Sequence, residues 1–394
     1  AQQLHGALIH GVMEKAYPQF MMPLAPRGST NRRIRVGFVS SMLRKHTITF
    51  LFRGWLEGLD KEAFECFGYQ LDGQEDGVTA ELSEQMEHFR CLKGELSSIA
   101  ESIQQDALDV LIYPELGMNR HTLKLAALRL APVQCVTWGH PVTTGLPSMD
   151  YFLSSALMEP QGAQQNYTET LVELPGLSVF LNAEGTPPST KSRSDFGLVA
   201  SDVVYLVPQS LFKLQPAHDA LYAQIARQVD RARFVFITNS GAHASEGVVS
   251  TFAQRLARAF GEEGLNWQDH VRFVPGQSEP DFLALNACAD IFLDAPGWSG
   301  GRTTLDAVSV GLLPITWPGR LMRQRHTAAI LDVLELPELV ATSAQHYVEL
   351  AVELGQSSAK RDERRQVLEQ NRHRLYGDSQ VLSALSDFLR RVNS

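Results

Sequence analysis

The chain has 394 residues, 44% hydrophobic and 20% charged, a balance that excludes a disordered or fibrous protein and supplies material for two or three globular domains. Asp and Glu number 44 against 35 Lys and Arg, for a net charge of -9, which opposes nucleic acid or an anionic membrane surface as the main partner. No uninterrupted apolar run approaches the roughly 20 residues of a membrane span, and AQQLHGALIHGVMEKAYPQF lacks the order of a signal peptide, so a cytoplasmic protein is expected.

The opening residues to about Tyr17 read as a short helix. From Ile34 to Leu130 apolar runs alternate with helical patterns: IRVGFVSS, then a segment from about His46; FECFGYQL, then a segment around Leu82 that ends near His88; LDVLIYPE, then LKLAALRL. This is the rhythm of parallel βαβ units. PVQCVTWG and DYFLSS add two strands before NAEGTPPSTKSRSD, rich in Pro, Gly, Ser and charge, which reads as a linker. The rhythm then restarts with VVYLVPQ, a helix from about Pro216, ARFVFIT, a helix from about Glu246, HVRFVPG, a short helix near Phe282, ADIFLDAP, a helix from about Thr303, and LLPITWPG. From Ser357 onward Val367, Leu368, Leu375, Val381, Leu382, Leu385 and Leu389 are spaced for helices that could pack back on the first lobe.

The expected domains are 1–32, an N-terminal helix and linker; 33–182, a Rossmann-like lobe; 183–201, the interdomain linker; 202–356, a second Rossmann-like lobe; and 357–394, terminal helices. Two α/β lobes with parallel sheets place the expected site in a cleft between them, at the carboxyl ends of the strands. The four cysteines, Cys66, Cys91, Cys135 and Cys288, form no CxxC pair and suit buried thiols in a reducing compartment.

DAPGWSGGRTTLD, Asp294 to Asp306, is the most informative stretch: a strand ends, a loop with three glycines follows and a helix begins. Gly300 and Gly301 allow close backbone approach, the first helical turn points N–H groups outward, and Thr303 and Thr304 add hydroxyl donors, which together make an anion site. A capping box of Thr303 and Asp306 explains the same letters without a ligand. In PQSLFKLQP, Ser210 and Lys213 follow a strand, and a lone ammonium there neutralises a diphosphate or is simply an exposed lysine. His46 lies just beyond the first strand of its lobe, and Gly139, His140 and Pro141 just beyond the fifth. Such histidines orient ligands, move protons, or only cap and pack. There is no Asp-x-Asp pair and no HExxH spacing, so no divalent cation is implied and a departing diphosphate must be met by lysine, amides and hydroxyls.

Four ordered blocks carry a resemblance: RVGFVSSMLRKH (Arg35 to His46), LAPVQCVTWGHPVTTGLPSMDYFLSS (Leu130 to Ser155), PQSLFK (Pro208 to Lys213) and SGGRTTLDAVSVGLLPIT (Ser299 to Thr316). The chain resembles the catalytic region of O-linked N-acetylglucosamine transferases, the plant SPINDLY proteins and their bacterial relatives. The resemblance implies a GT-B glycosyltransferase, inverting and metal-independent, that moves a sugar from a nucleotide donor to a protein side-chain hydroxyl. No cofactor is implied; the donor is a substrate, UDP-linked or alternatively GDP- or CMP-linked. By position, Lys213 would contact the diphosphate, Thr303 and Thr304 its oxygens, and Asp306 the ribose hydroxyls. Gln277 would bond the base edge and Phe282 would stack on it. His46 would lie near the reacting centre, His88 would seat sugar or acceptor, and Gly139, His140 and Pro141 would line the sugar pocket.

Arg302 stands where related bacterial sequences often carry Asn, which adds a guanidinium for the diphosphate or for an anionic sugar such as a nonulosonic acid. Flagellin or another bacterial protein is then an alternative acceptor, and a noncatalytic nucleotide-sugar-binding module is the rival from a different class. The family commonly carries tetratricopeptide repeats ahead of the lobes. This chain opens on Ala and holds at most the last helix of such a region, so a preceding segment is expected.

Overall fold

The computed structural model describes residues 1–26, 32–183, 185–238 and 246–393. They fall into two compact units, Ala1–Asn182 with Tyr376–Ser394, and Ala183–Leu375.

The first unit is built on seven parallel strands: β1 (Ile34–Ser40), β2 (Phe64–Leu71), β3 (His88–Leu92), β4 (Val110–Tyr113), β5 (Val133–Thr137), β6 (Tyr151–Ser155) and β7 (Thr170–Leu174), in the order β3-β2-β1-β4-β5-β6-β7. Covered on both faces, the central strands are nearly continuous in apolar residues; Val36, Phe38, Val110, Leu111 and Ile112 are fully buried. The helix Thr47–Gly58 packs Phe52 and Trp55 into this core, and the Trp55 indole donates to Ser178 O at 3.0 Å. Strand order reverses between β1 and β4, the switch point where α/β sheets open a crevice at their carboxyl ends.

The strands β3 and β7 were absent from the sequence expectation. His88 opens β3 rather than closing a helix. HFRCL is an edge strand of intermediate burial throughout, so its polar residues tolerate the outer side of the sheet and no apolar run announces it.

The second unit has five parallel strands: β8 (Val203–Val207), β9 (Ala232–Ile237), β10 (Val271–Val274), β11 (Ile291–Leu293) and β12 (Leu313–Ile315), in the order β10-β9-β8-β11-β12. Its switch point lies between β8 and β11. Val204, Leu206, Val235, Leu285, Phe292 and Ala307 form part of one buried cluster under the sheet.

The stretch expected as a linker is fastened to this unit. Ser189 N donates to Pro280 O at 2.9 Å, Lys191 pairs with Asp281 at 2.8 Å and Arg193 with Asp290 at 2.8 Å. The terminal helices divide: Ser358–Asn371 belongs to the second unit and Ser379–Arg391 to the first, where Phe388 meets Tyr151 edge-on at 5.2 Å. All four cysteines are free thiols. No helix among the described residues is long and apolar enough to cross a membrane.

Candidate active site

The loop from β11 to the helix Arg302–Ser309 is organised by one buried carboxylate. Asp294, first residue after β11, accepts from Ser299 Oγ at 2.6 Å, Gly300 N at 2.7 Å, Thr316 Oγ1 at 2.7 Å and Gln209 Nε2 at 3.1 Å. Burial outweighs these donors and pushes its carboxyl up to about 6. Gln209 follows β8, and Thr316 follows β12, so a single side chain ties three strand ends together.

Gly300 is required by close approach. A Cβ there would stand 2.5 Å from Thr303 Oγ1, 2.7 Å from Thr304 Oγ1 and 2.9 Å from Gln209 Nε2. The helix begins at Arg302 with Gly301 as its cap, and no side chain caps it, so the capping box that the letters allowed does not form. Its first turn keeps outward N–H groups.

The two threonines differ. Thr304 is buried; its hydroxyl lies 2.9 Å from Gly300 O, to which it donates, and 2.8 Å from Thr327 Oγ1. It therefore holds the loop together and is spent on the protein, contrary to the expectation that it meets a diphosphate oxygen. Thr303 is half-buried on the same turn, and its hydroxyl remains the better candidate for a ligand contact.

Lys213 ends a short 3-10 turn, Leu211–Lys213, after β8; its backbone N donates to Ser210 O at 2.8 Å. The Nζ stands 5.4 Å from the centre of the Trp298 indole in the glycine loop. Burial draws the ammonium below the usual lysine range against the attraction of Asp294. Arg323 approaches the same indole, with Cζ 5.7 Å from the ring centre. Its carbonyl accepts from Ser299 N at 2.8 Å. His326 is buried, and burial reinforced by repulsion from Lys213 pushes its imidazole down to about 4, so it is neutral at pH 7.

Arg302 does not point its charge at an open site. Nε lies 2.6 Å from Asp306 Oδ1, and a terminal nitrogen 2.7 Å from Glu279 Oε1. These bonds tie the helix Arg302–Ser309 to the first turn of Glu279–Cys288. Asp306, expected to take ribose hydroxyls, is thus engaged by its neighbour, and burial keeps its carboxyl above the ordinary range. Gln277 folds onto its own loop, with Nε2 2.6 Å from Pro275 O. Phe282, expected to stack on the base, is partly buried and packs against the core cluster.

In the first unit, His46 caps the helix Thr47–Gly58, its Nδ1 accepting from Ile48 N at 3.2 Å. Burial and the nearby Arg44 lower its pKa, so the ring is neutral at pH 7. With Nδ1 an acceptor, the neutral ring carries its proton on Nε2 and presents a donor. Gly139 sits close by: a Cβ there would lie 2.4 Å from Pro114 O and 2.6 Å from Ile48 Cδ1. His140 lies over Gly117, and Pro141 is buried in the same turn. Beneath them Glu115 is fully buried, accepts from Ser40 Oγ at 2.7 Å, and is pushed up to about 8 by burial. It is an uncharged acid at the switch point.

His88 does not join this group. It opens β3, whereas His46 and Gly139 follow the carboxyl ends of β1 and β5. His88 stacks on Phe67 at 4.2 Å and lies 3.0 Å from Glu65. Glu65, Glu87 and His88 form the one group of three potential metal ligands within reach of one another among the described residues. Arg33 and Arg35 already bind the two carboxylates, at 2.7 Å and 2.9 Å, which accounts for the cluster without an ion.

Sequence reasoning missed Asp294, Gln209, Trp298, Glu279, Arg323 and His326. Trp298 lies inside the glycine loop, and Asp294 as a charged residue closing an apolar strand was a readable signal. Arg323 and His326 join through contacts that only the fold creates.

The model of glycosyl transferase family 41 matches residues 9–183 and 182–379. The Arabidopsis thaliana protein named "probable UDP-N-acetylglucosamine peptide N-acetylglucosaminyltransferase SEC" is 25% identical over 342 residues, 84% of this chain and 34% of that protein. A Petunia hybrida SPINDLY protein with the same activity in its name is 26% identical over 330 residues, 82% of this chain and 34% of its own length. The chain thus spans about a third of the length of these curated relatives. An O-GlcNAc transferase variant of Thermobaculum terrenum has a similar fold, with a TM-score of 0.82 and 24% identity over 100% of this chain and 78% of that one. Two parallel α/β units are the GT-B arrangement of such structural neighbours. With its family model matched almost from end to end, the chain belongs to glycosyl transferase family 41.

Proposed function

We propose that this chain is the sugar-transferring region of a protein glycosyltransferase that uses a nucleotide-diphosphate sugar, of the UDP-N-acetylglucosamine type, and delivers the sugar to a side-chain hydroxyl. The observation that carries the reading is the half-buried Lys213 ammonium 5.4 Å from the Trp298 ring, in the glycine loop that leads into the helix Arg302–Ser309. The loops of both come from the switch point β8/β11. The family's relatives are named for a UDP-sugar donor and a peptide acceptor, which supports the same classes here.

In this reading the acceptor oxygen attacks the anomeric carbon in line as the bond to the diphosphate breaks, with inversion. Charge growing on the leaving diphosphate is met by Lys213 and by outward amides of the first helical turn, with the Thr303 hydroxyl alongside. Asp294 holds the loop in that arrangement. His46 presents an Nε2–H donor that orients the sugar or acceptor, and this tautomer does not take a proton. Preorganised charge therefore does more than a strong base, and no metal ion is called for.

The test is nucleotide release from a panel of UDP-, GDP- and CMP-sugars, with and without candidate acceptor protein. Release with one UDP-sugar, accelerated by acceptor and unchanged by a chelator, is expected. Lys213→Ala should slow it by about a hundredfold. Tight nucleotide binding without turnover, or a Lys213→Ala variant as fast as the wild type, contradicts the reading.

A further inference from the structure

Trp298 is flanked by two cations. Lys213 Nζ is 5.4 Å and Arg323 Cζ 5.7 Å from its ring centre. Neither has a carboxylate partner within ion-pair distance among the described residues, unlike Arg302, which is held by Asp306 and Glu279. The indole faces attract cations but do not cancel their charge. Arg323 is anchored as well as charged: Met322 beside it is buried, and its carbonyl is bonded by Ser299 N, so its main chain moves with the glycine loop. Asp294 attracts Lys213, but its oxygens are already taken by four donors.

We propose that Arg323 is a second anion-binding residue of this site, acting with Lys213 across Trp298 so that the ligand must bring two anionic groups. The proposal rests on the donor-binding reading above. Lys213 takes the group nearest the glycine loop and Arg323 the other. Two sources supply such a pair: the second phosphate of a nucleoside diphosphate, or a carboxylate on the sugar of a nucleoside monophosphate donor. In both, a planar guanidinium can bind two oxygens of the second group side by side.

Calorimetric titration of the wild-type chain, Arg323→Gln, Arg323→Lys and Lys213→Ala with UDP, UMP, CMP-N-acetylneuraminate and CMP separates the cases. Arg323→Gln should weaken UDP by about 10- to 100-fold, as loss of a charge-assisted bond does, while UMP changes by no more than about twofold. Arg323→Lys should restore part of the loss. A loss confined to CMP-N-acetylneuraminate, with CMP unaffected, assigns the second group to a sugar carboxylate instead. If Arg323→Gln binds every probe as the wild type does, or weakens UDP and UMP equally, the proposal is overturned. The donor reading survives that result provided Lys213→Ala still weakens UDP. If the wild-type chain binds none of the probes, both fall together.

Discussion

Replacing Asp294 by Ala removes the acceptor of four donors, and Ser299, Thr316 and Gln209 among their owners are all buried. The two hydroxyls can turn: Ser299 already lies 3.0 Å from Thr327 Oγ1. Gly300 N and Gln209 Nε2 point in fixed directions and keep no substitute. Two buried donors left unsatisfied at about 1–3 kcal/mol each give an expected loss of about 2–6 kcal/mol, concentrated on the loop. Asn at this position still accepts from Gly300 N and Gln209 while its amide faces hydroxyls that can rotate to accept, so Asp294→Asn should lose about 1–2 kcal/mol. Because a chain of two units need not unfold in one step, the informative assay is hydrogen exchange at the Gly300 amide. Protection there should fall by about thirtyfold or more in Asp294→Ala, since about 1.4 kcal/mol corresponds to each factor of ten, and less in Asp294→Asn. Gly300 protection equal to wild type in the Ala variant would refute the role given to Asp294.

Three further outcomes follow from the same geometry. Glu115, raised to about 8 from an ordinary 4.5, holds its proton more tightly in the folded chain, so its contribution to stability falls as pH rises between those values. Glu115→Gln should gain on the wild type between pH 5 and pH 8.5 in thermal unfolding, by a difference on the order of several kcal/mol; a pH-independent difference contradicts the assignment. Gly300→Ala forces a Cβ to within 2.5 Å of Thr303 Oγ1. It should cost about 1–3 kcal/mol and weaken nucleotide binding, measured by melting and by calorimetry, whereas wild-type values in both would deny the close packing. His46→Ala should keep the acidic limb of the pH-rate profile, because the ring donates; loss of that limb would make His46 a base.

The central strands were legible because burial on both faces demands apolar runs such as IRVGFVS and VVYLV. The edge strands were not, since HFRCL and TLVEL carry polar residues that the sheet border accepts, and His88 was consequently read at a helix end. The glycine loop was legible from local letters. The ion pairs of Arg302 were only half legible: Asp306 stands four residues on in the same helix, whereas Glu279 lies 23 positions earlier and meets it only after two helices pack. Thr304 spends its donor on Gly300 O four residues back and meets Thr327 from a later element, a pairing that only the folded loop creates. The cations beside Trp298 belong to loops more than a hundred residues apart, from Lys213 to Arg323, and no spacing rule joins them.

Crystals of this chain grown with UDP test the placement of the leaving group most directly. The expected density puts diphosphate oxygens within about 3 Å of Lys213 Nζ and of amides in the first turn of Arg302–Ser309, as charge-assisted bonds require. A diphosphate bound elsewhere, with Lys213 turned to bulk water, would contradict it.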